Sequence, residues 1–264
     1  MKHHQLQSAV LTRSQKVSNA LKLNLRRVCF YPAFPCCVQQ YEKFVAQGGM
    51  EPNLLIELNS IAGRELLKHC AVNHFVDWSI HFECQENLTY CGVASGVISL
   101  NLAGACAPES SRHPSYKLWT QENFLTSKAE SVVKERQIRK SGMSLSQFSQ
   151  LLIANGLKNA KAFHADSMAL SEFRYSLIQS MRDEKFVVLN YQRKNIGQDG
   201  GGHFSPIAAY SESGDSFLVL DVARYRYGPV WVSVDRLFES CCTVDDSTGK
   251  SRGFLVFSRQ RSKD

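Results

Sequence analysis

The sequence predicts an α+β fold in which a helical half packs on a twisted antiparallel sheet. Three observations carry this. A chain of 264 residues with 44% hydrophobic content can bury one full core. Apolar residues recur at helical spacing through most of the chain up to Arg182, and from Lys185 onward the period becomes that of strands. Helices first and strands afterwards is the order of an α+β domain.

In chain order, residues 1–41 contain no Asp or Glu, while Lys2, Arg13, Lys16, Lys22, Arg26 and Arg27 are cationic. Such a stretch reads as a basic leader, either solvated or a targeting segment of mitochondrial type; residues 42–264 are the domain proper. In "EPNLLIELNSIAGRELLKHC", Leu54, Leu55, Leu58 and Ile61 follow Pro52 at helical spacing and predict one helix, broken near Gly63. From Gly92 to Leu102 nearly every residue is small or apolar, the composition of a helix buried on most faces, with Asn87 or Thr89 as its cap and Gly104 as its stop. "SLSQFSQLLIANG" predicts a helix capped by Ser144, with Leu145, Phe148, Leu151 and Leu152 on one face and Gly156 as the left-handed terminator. A fourth helix lies between Ser167 and Arg182 and carries Met168, Phe173, Leu177 and Met181. The strands then follow as "KFVVLNY", "HFSPIAAY", "SFLVLDVA", "PVWVSV" and "GFLVFS".

Composition narrows the function classes. The net charge is +7 and the pI near 8.9, but no stripe of cations interleaved with stacking aromatics marks a nucleic-acid surface. No apolar run reaches the ~18 residues of a spanning helix, and the N-terminus lacks the apolar region of a secretory signal. Nine cysteines, with Cys36-Cys37 and Cys241-Cys242 adjacent, suit free thiols in a reducing intracellular compartment. His69, Cys70 and His74 have no second ligand pair at zinc-site spacing, so the sequence predicts no protein metal site and no tightly bound cofactor.

Cys91 is the residue that invites chemistry. At the head of the buried helix, unpaired N–H groups and the helix dipole favour its thiolate. A buried cysteine is also an ordinary small hydrophobe, so the assignment needs a base. His203 supplies one: it follows the glycine run "GQDGGG" and opens "HFSPIAAY", which the loop "SESGD" turns back into "SFLVLDVA". The hairpin brings Asp221 beside His203, and a register of the right parity puts both on one face. The aspartate can then fix the imidazole tautomer while the other ring nitrogen meets the thiol. Gln85, six residues before Cys91, can add its amide to the Cys91 N–H as an oxyanion donor. Glutamine, helix-head cysteine, strand histidine and strand aspartate, in that order, form the constellation of papain-like cysteine peptidases.

The blocks "YCGVAS", "GHFSPIAAY", "LDVARYRYGPVWV" and "DDSTGKSRGFLVFS" resemble the catalytic domain of phytochelatin synthases, a branch of the papain-like clan. The resemblance covers Phe82 to Ser258 and ends near the chain terminus, implying a short form with the catalytic domain only. It implies a glutathione γ-glutamylcysteinyltransferase: the cysteine attacks the Cys-Gly bond of glutathione, glycine leaves, and γ-Glu-Cys passes to another glutathione or to water. Cys91, His203, Asp221 and Gln85 match its catalytic positions. Asp245 and Arg252 match residues holding the γ-glutamyl amino and carboxylate groups, and Arg224 and Tyr90 lie in matching motifs near the donor site.

By the same resemblance, cadmium or zinc enters as a metal–glutathione substrate complex, and a homodimer is compatible. The region where plant-type members carry paired cysteines reads "ENFLTSKAESVVKE", with none. The chain resembles half-length relatives of bacterial type better, and the resemblance implies that hydrolysis of glutathione to γ-Glu-Cys and glycine can outrun polymer synthesis. The rival readings are a general cysteine peptidase and a non-enzymatic metal-binding protein; the latter lacks repeated ligand spacing.

Overall fold

The strand periodicity after Lys185 becomes one antiparallel sheet. The computed structural model describes residues 55–110 and 114–260, all within the unit Pro52–Asp264; the basic leader, Pro52 and Leu54 lie outside the described residues. The strands are β1 (Ile56–Glu57), β2 (Val72–Asn73), β3 (Lys161–His164), β4 (Lys185–Gln192), β5 (Gly202–Ser211), β6 (Ser216–Val219), β7 (Val230–Ser233), the short pair β8 (Val244–Asp245) and β9 (Lys250–Ser251), and β10 (Gly253–Ser258). The main sheet runs β1-β7-β6-β5-β4-β10-β3, with β2 paired to β5 at Tyr210 and Ala209.

Strand alternation sorts the two sheet faces. Val187, Leu189 and Tyr191 of β4 join a core with Phe173, Leu177 and Met181 of α7 (Leu170–Arg182) and Leu237 and Cys241 of α8 (Val234–Cys241). Phe186, of the opposite parity, packs against Trp78 and Phe257. Aromatic rings from both faces meet neighbours at 4.7–5.9 Å in tilted and edge-on geometries, as their quadrupoles favour.

The buried helix forms as its composition demands. α3 (Cys91–Ala103) buries every residue except Asn101, lies against β5, and ends at Gly104 in the left-handed conformation, φ 68°. Asn101 ties the helix to the following loop by accepting from the Trp119 N–H at 3.0 Å and donating to its carbonyl at 2.8 Å. α6 (Leu145–Ala154) is capped as expected: Ser144 accepts from the Gln147 N–H, and the Gln147 side chain accepts from the Ser144 N–H at 3.0 Å. Ser144→Ala should therefore cost ~1 kcal/mol, read as a fall of ~2–4 °C in thermal midpoint.

The first helix departs from expectation. α1 (Ile61–Lys68) starts only after Ser60, whose hydroxyl accepts from the Gly63 N–H, and the residues before it form β1. Leu58 and Ile61 do not share a buried helical face; Ile61 is 56% exposed. A polar cap with the Trp231 indole donating to the Gly63 carbonyl at 3.0 Å outweighs the apolar spacing that suggested a longer helix. α2 (Phe75–Ile80), α4 (Ser127–Glu130) and α5 (Glu135–Ser141) complete the helices. Among the described residues no helix is long and apolar enough to cross a membrane.

A one-residue irregularity in the β5–β6 hairpin positions the site. Nearest the turn, Ser211 pairs with Ser216, Tyr210 with Phe217 and Ala209 with Leu218; beyond a shift between Ile207 and Ala209, Ile207 pairs with Val219. Ala208 is thus the extra residue of a bulge. Asp221, two residues past Val219, falls level with Ser205 and so shares the face of His203. Without the shift it would lie opposite Pro206, facing away. The strand expected to run through Ala223 stops at Val219, and Asp221 stands just beyond its end.

Candidate active site

Cys91 opens α3 with the helix N-terminus unclaimed by any side chain. The N-cap is Tyr90, with no side-chain cap, in place of the expected Asn87 or Thr89. Those two are used elsewhere: the Thr89 hydroxyl donates to the Arg139 carbonyl at 3.3 Å, and the Asn87 side-chain carbonyl accepts from Arg139 at 3.4 Å. The first-turn N–H groups are therefore left to the thiol. Burial pushes the Cys91 thiol up, but the adjoining His203 imidazole and the N–H groups of Phe204 and Gly92 outweigh it, and the thiol sits below its ordinary range.

His203, near the start of β5, is paired across the ladder with Tyr191, whose ring meets the imidazole edge-on at 5.7 Å. Its Nε2 lies 3.0 Å from the Asp221 carboxylate, which leaves Nδ1 for Cys91. Burial lowers the imidazole, while the Cys91 thiolate and the hydrogen bond to Asp221 raise it further, so the net direction is upward. Asp221, fully buried, is pushed up by desolvation but drawn well below the usual carboxylate range by His203 and Arg193. One of its oxygens also accepts from the Ala223 N–H at 2.7 Å. Acidified thiol and basified imidazole together favour an ion pair, the reactive form of a thiol nucleophile.

The other expected residues divide into two groups. Gln85 is buried beside the triad, with its N–H donating to the Val222 carbonyl at 2.9 Å, one residue after Asp221. Its Nε2 donates one hydrogen to the Asn87 carbonyl at 2.7 Å, and the amide retains a second. Arg224 donates from Nε to the Asp221 carbonyl at 3.1 Å and lies 4.0 Å over the Phe82 ring. Arg252 crosses the strand that carries His203: a Cβ on Gly202 would stand 2.8 Å from its Nε, so the guanidinium lies directly against the strand's backbone there. That Nε is buried without a hydrogen-bond partner, while Nη1 donates to the Thr243 hydroxyl at 3.2 Å.

Two expected residues face elsewhere. The Asp245 carboxylate accepts from the Ser247 N–H and hydroxyl at 3.0 and 2.7 Å, within its own turn. The Tyr90 hydroxyl donates to Glu135 at 2.9 Å, and burial, that hydrogen bond and the nearby charge push it up to about 12.

The residue that sequence reasoning missed is Arg193. It follows β4 in "QRKNIG", which reads as an exposed basic turn, yet its side chain is 5% exposed. Nη1 donates to one Asp221 oxygen at 2.6 Å and Nη2 to the other at 2.8 Å. Only the glycine run hinted at it: a Cβ on Gly200, at φ 124°, would stand 2.9 Å from the Arg193 Cδ.

An imidazole shared between a helix-head thiol and a buried carboxylate is an arrangement suited to activating a thiol nucleophile, and the candidate site is of that class. Comparison narrows the class to a family. The family model described as Phytochelatin synthase matches residues 48–254, and the chain belongs to that family. "Glutathione gamma-glutamylcysteinyltransferase 1" of Lotus japonicus is 33% identical over 225 residues, spanning 81% of this chain and 44% of that protein. The Arabidopsis thaliana protein of the same name is 32% identical over 210 residues, spanning 77% of this chain and 42% of its own. The chain thus spans less than half the length of these relatives. Among solved structures, a fragment of Prevotella intermedia prointerpain A is similar at TM-score 0.41 and 9% identity, covering 96% of this chain and 86% of that one.

Proposed function

We propose that this chain is a glutathione γ-glutamylcysteinyltransferase whose acyl carrier is Cys91. The observation that carries the reading is His203 set between the Cys91 thiol and the Asp221 carboxylate in a chain of this family. The thiolate attacks the carbonyl of the Cys-Gly bond, and the oxyanion is met by the Cys91 N–H and the free hydrogen of the Gln85 amide. Imidazolium His203 gives its proton to the departing amine, glycine leaves, and a γ-Glu-Cys thioester remains. Neutral His203 then takes a proton from the α-amino group of a second glutathione or from water. The thioester breaks, releasing either the extended peptide or γ-Glu-Cys, and the thiol is restored.

Arg252 is the proposed partner of the γ-glutamyl carboxylate, because its buried Nε lacks a partner beside the His203 strand. Asp245 would take the α-amino group once the Ser247 contact opens. Arg252→Ala should lower kcat/KM for glutathione by ~10- to 100-fold, the worth of a hydrogen bond to a charged group, and should hardly change hydrolysis of a small thiol-reactive ester. Equal losses on both substrates would remove Arg252 from donor recognition.

Cadmium or zinc is proposed to arrive as substrate, bound by two glutathione thiolates, an anionic complex that suits a chain of net charge +7. Mass spectrometry of glutathione incubations tests the whole reading. Glycine and γ-Glu-Cys are expected without metal, and (γ-Glu-Cys)2-Gly in its presence. Absence of glycine release under both conditions would refute the reading, whereas cleavage of α-linked peptides at equal rates would favour a general peptidase.

A further inference from the structure

Among the described residues Arg193 is the most deeply buried arginine, and its polar contacts hold it against the candidate triad. Its guanidinium forms the bidentate pair with Asp221 at 2.6 and 2.8 Å, Nη1 also donates to the Gln198 side-chain carbonyl at 2.6 Å, and Nη2 lies 2.8 Å from His203 Nε2. Its N–H donates to the Gly201 carbonyl, its own carbonyl accepts from Gln198 N–H, and the plane lies 5.0 Å from the Tyr227 ring centre. A solvated salt bridge needs none of this, and burying two charges is unfavourable unless both are fully satisfied.

The contact with His203 is the informative one. A guanidinium can only donate, and so can Nε2 of an imidazolium, so the two N–H groups compete for the same Asp221 oxygen. A lone buried aspartate would hold the imidazolium tightly and make it a poor acid toward the leaving amine. An aspartate already matched by a guanidinium presents an electrically neutral acceptor, the role an asparagine amide fills in other Cys-His enzymes.

We infer that Arg193 is a positioning residue that neutralises Asp221, so that the carboxylate orients His203 without over-stabilising its protonated form. This rests on Cys91 acting as the nucleophile. The other groups facing the triad are Tyr191 from β4, Arg224 and Tyr225 from the loop after β6, and Arg226, which pairs outward with Asp199 at 3.6 Å.

The test reads the pH dependence of Cys91 itself, as the rate of its alkylation by iodoacetamide followed by peptide mass spectrometry, together with the kcat/KM profile for glycine release. Removing the cation leaves Asp221 unopposed, which disfavours the thiolate and favours the imidazolium. In Arg193→Gln both limbs of the profile should therefore move up by ~1 pH unit, while Arg193→Lys should keep them near the wild-type positions at a reduced rate. The double variant Arg193→Met/Asp221→Asn, which removes both charges and leaves neither unpaired, should also keep the wild-type limbs, and it serves if the single variant fails to fold. Limbs unmoved in a folded Arg193→Gln, or displaced as far in the double variant as in the single, would overturn the inference and leave Arg193 as packing. Wild-type Cys91 with no reactivity above that of an ordinary thiol would instead refute the nucleophile and the proposed function beneath it.

Discussion

Cys91→Ser is expected to lower glycine release from glutathione by ~10³-fold or more while leaving the melting temperature nearly unchanged. The hydroxyl is almost isosteric with the thiol, and the site is already closed around it: the residue is buried, begins α3, and takes N–H contacts from Gly92 and Phe204. Stability therefore stays, but chemistry does not. The helix head and His203 shift a thiol toward its thiolate, whereas the same interactions applied to an alcohol leave it protonated and weakly nucleophilic. Glycine quantified by amino-acid analysis, with intact-mass detection of the acyl-enzyme, gives the comparison. Release at the wild-type rate would end the assignment of Cys91.

Asp221→Asn should have the second-largest effect, and on two axes. Turnover should fall by ~10²–10⁴-fold, because an amide that turns its nitrogen toward His203 Nε2 favours the wrong tautomer. Folding stability should fall by ~3–5 kcal/mol, since the Arg193 guanidinium loses its counter-charge in a buried site. The pH dependence separates this from generic damage. Asp221 has its folded-state acidity strengthened by His203 and Arg193, so its contribution is present above the unfolded carboxylate value of ~3.9 and is lost as pH falls through the lower folded value. Urea midpoints between pH 2 and 7 should show an acid-side slope in the wild type that is reduced in the variant. An unchanged slope would mean that Asp221 is not the carboxylate that senses the pair.

The grouping of Cys91, His203 and Asp221 was legible in the sequence because each carries a local signature: a cysteine before an unusually apolar helix, a histidine opening a strand, an aspartate closing its hairpin partner. The caps at Ser144 and Gly104 were legible through their chemistry. Arg193 was not, because nothing in "QRKNIG" distinguishes a buried cation from a solvated one; its burial is decided by Asp221, 28 residues later in the chain. The glycine run pointed to a close approach but not to what approaches, which proved to be the side chains of Arg193 and Arg252. α8 escaped because eight residues give little more than two turns of periodicity, and β3 because only alternate positions of its four residues are even partly buried. The long helix read from Leu54 to Ile61 failed where Ser60 offers its hydroxyl to the Gly63 N–H, a local choice that spacing does not weigh.

The extra residue at Ala208 makes the β5–β6 hairpin behave like a reading frame. A strand has a two-residue word, and the bulge is the one place in this hairpin where a letter can be dropped without changing the sense. With Ala208 deleted, Ile207↔Val219 and Ala209↔Leu218 become neighbouring pairs of a regular ladder, and Asp221 stays level with Ser205 on the face of His203; the site should survive. Deleting Leu220 instead draws the carboxylate opposite Pro206 and turns it to the other side of the sheet, and glycine release should be lost although the turn and core remain formable.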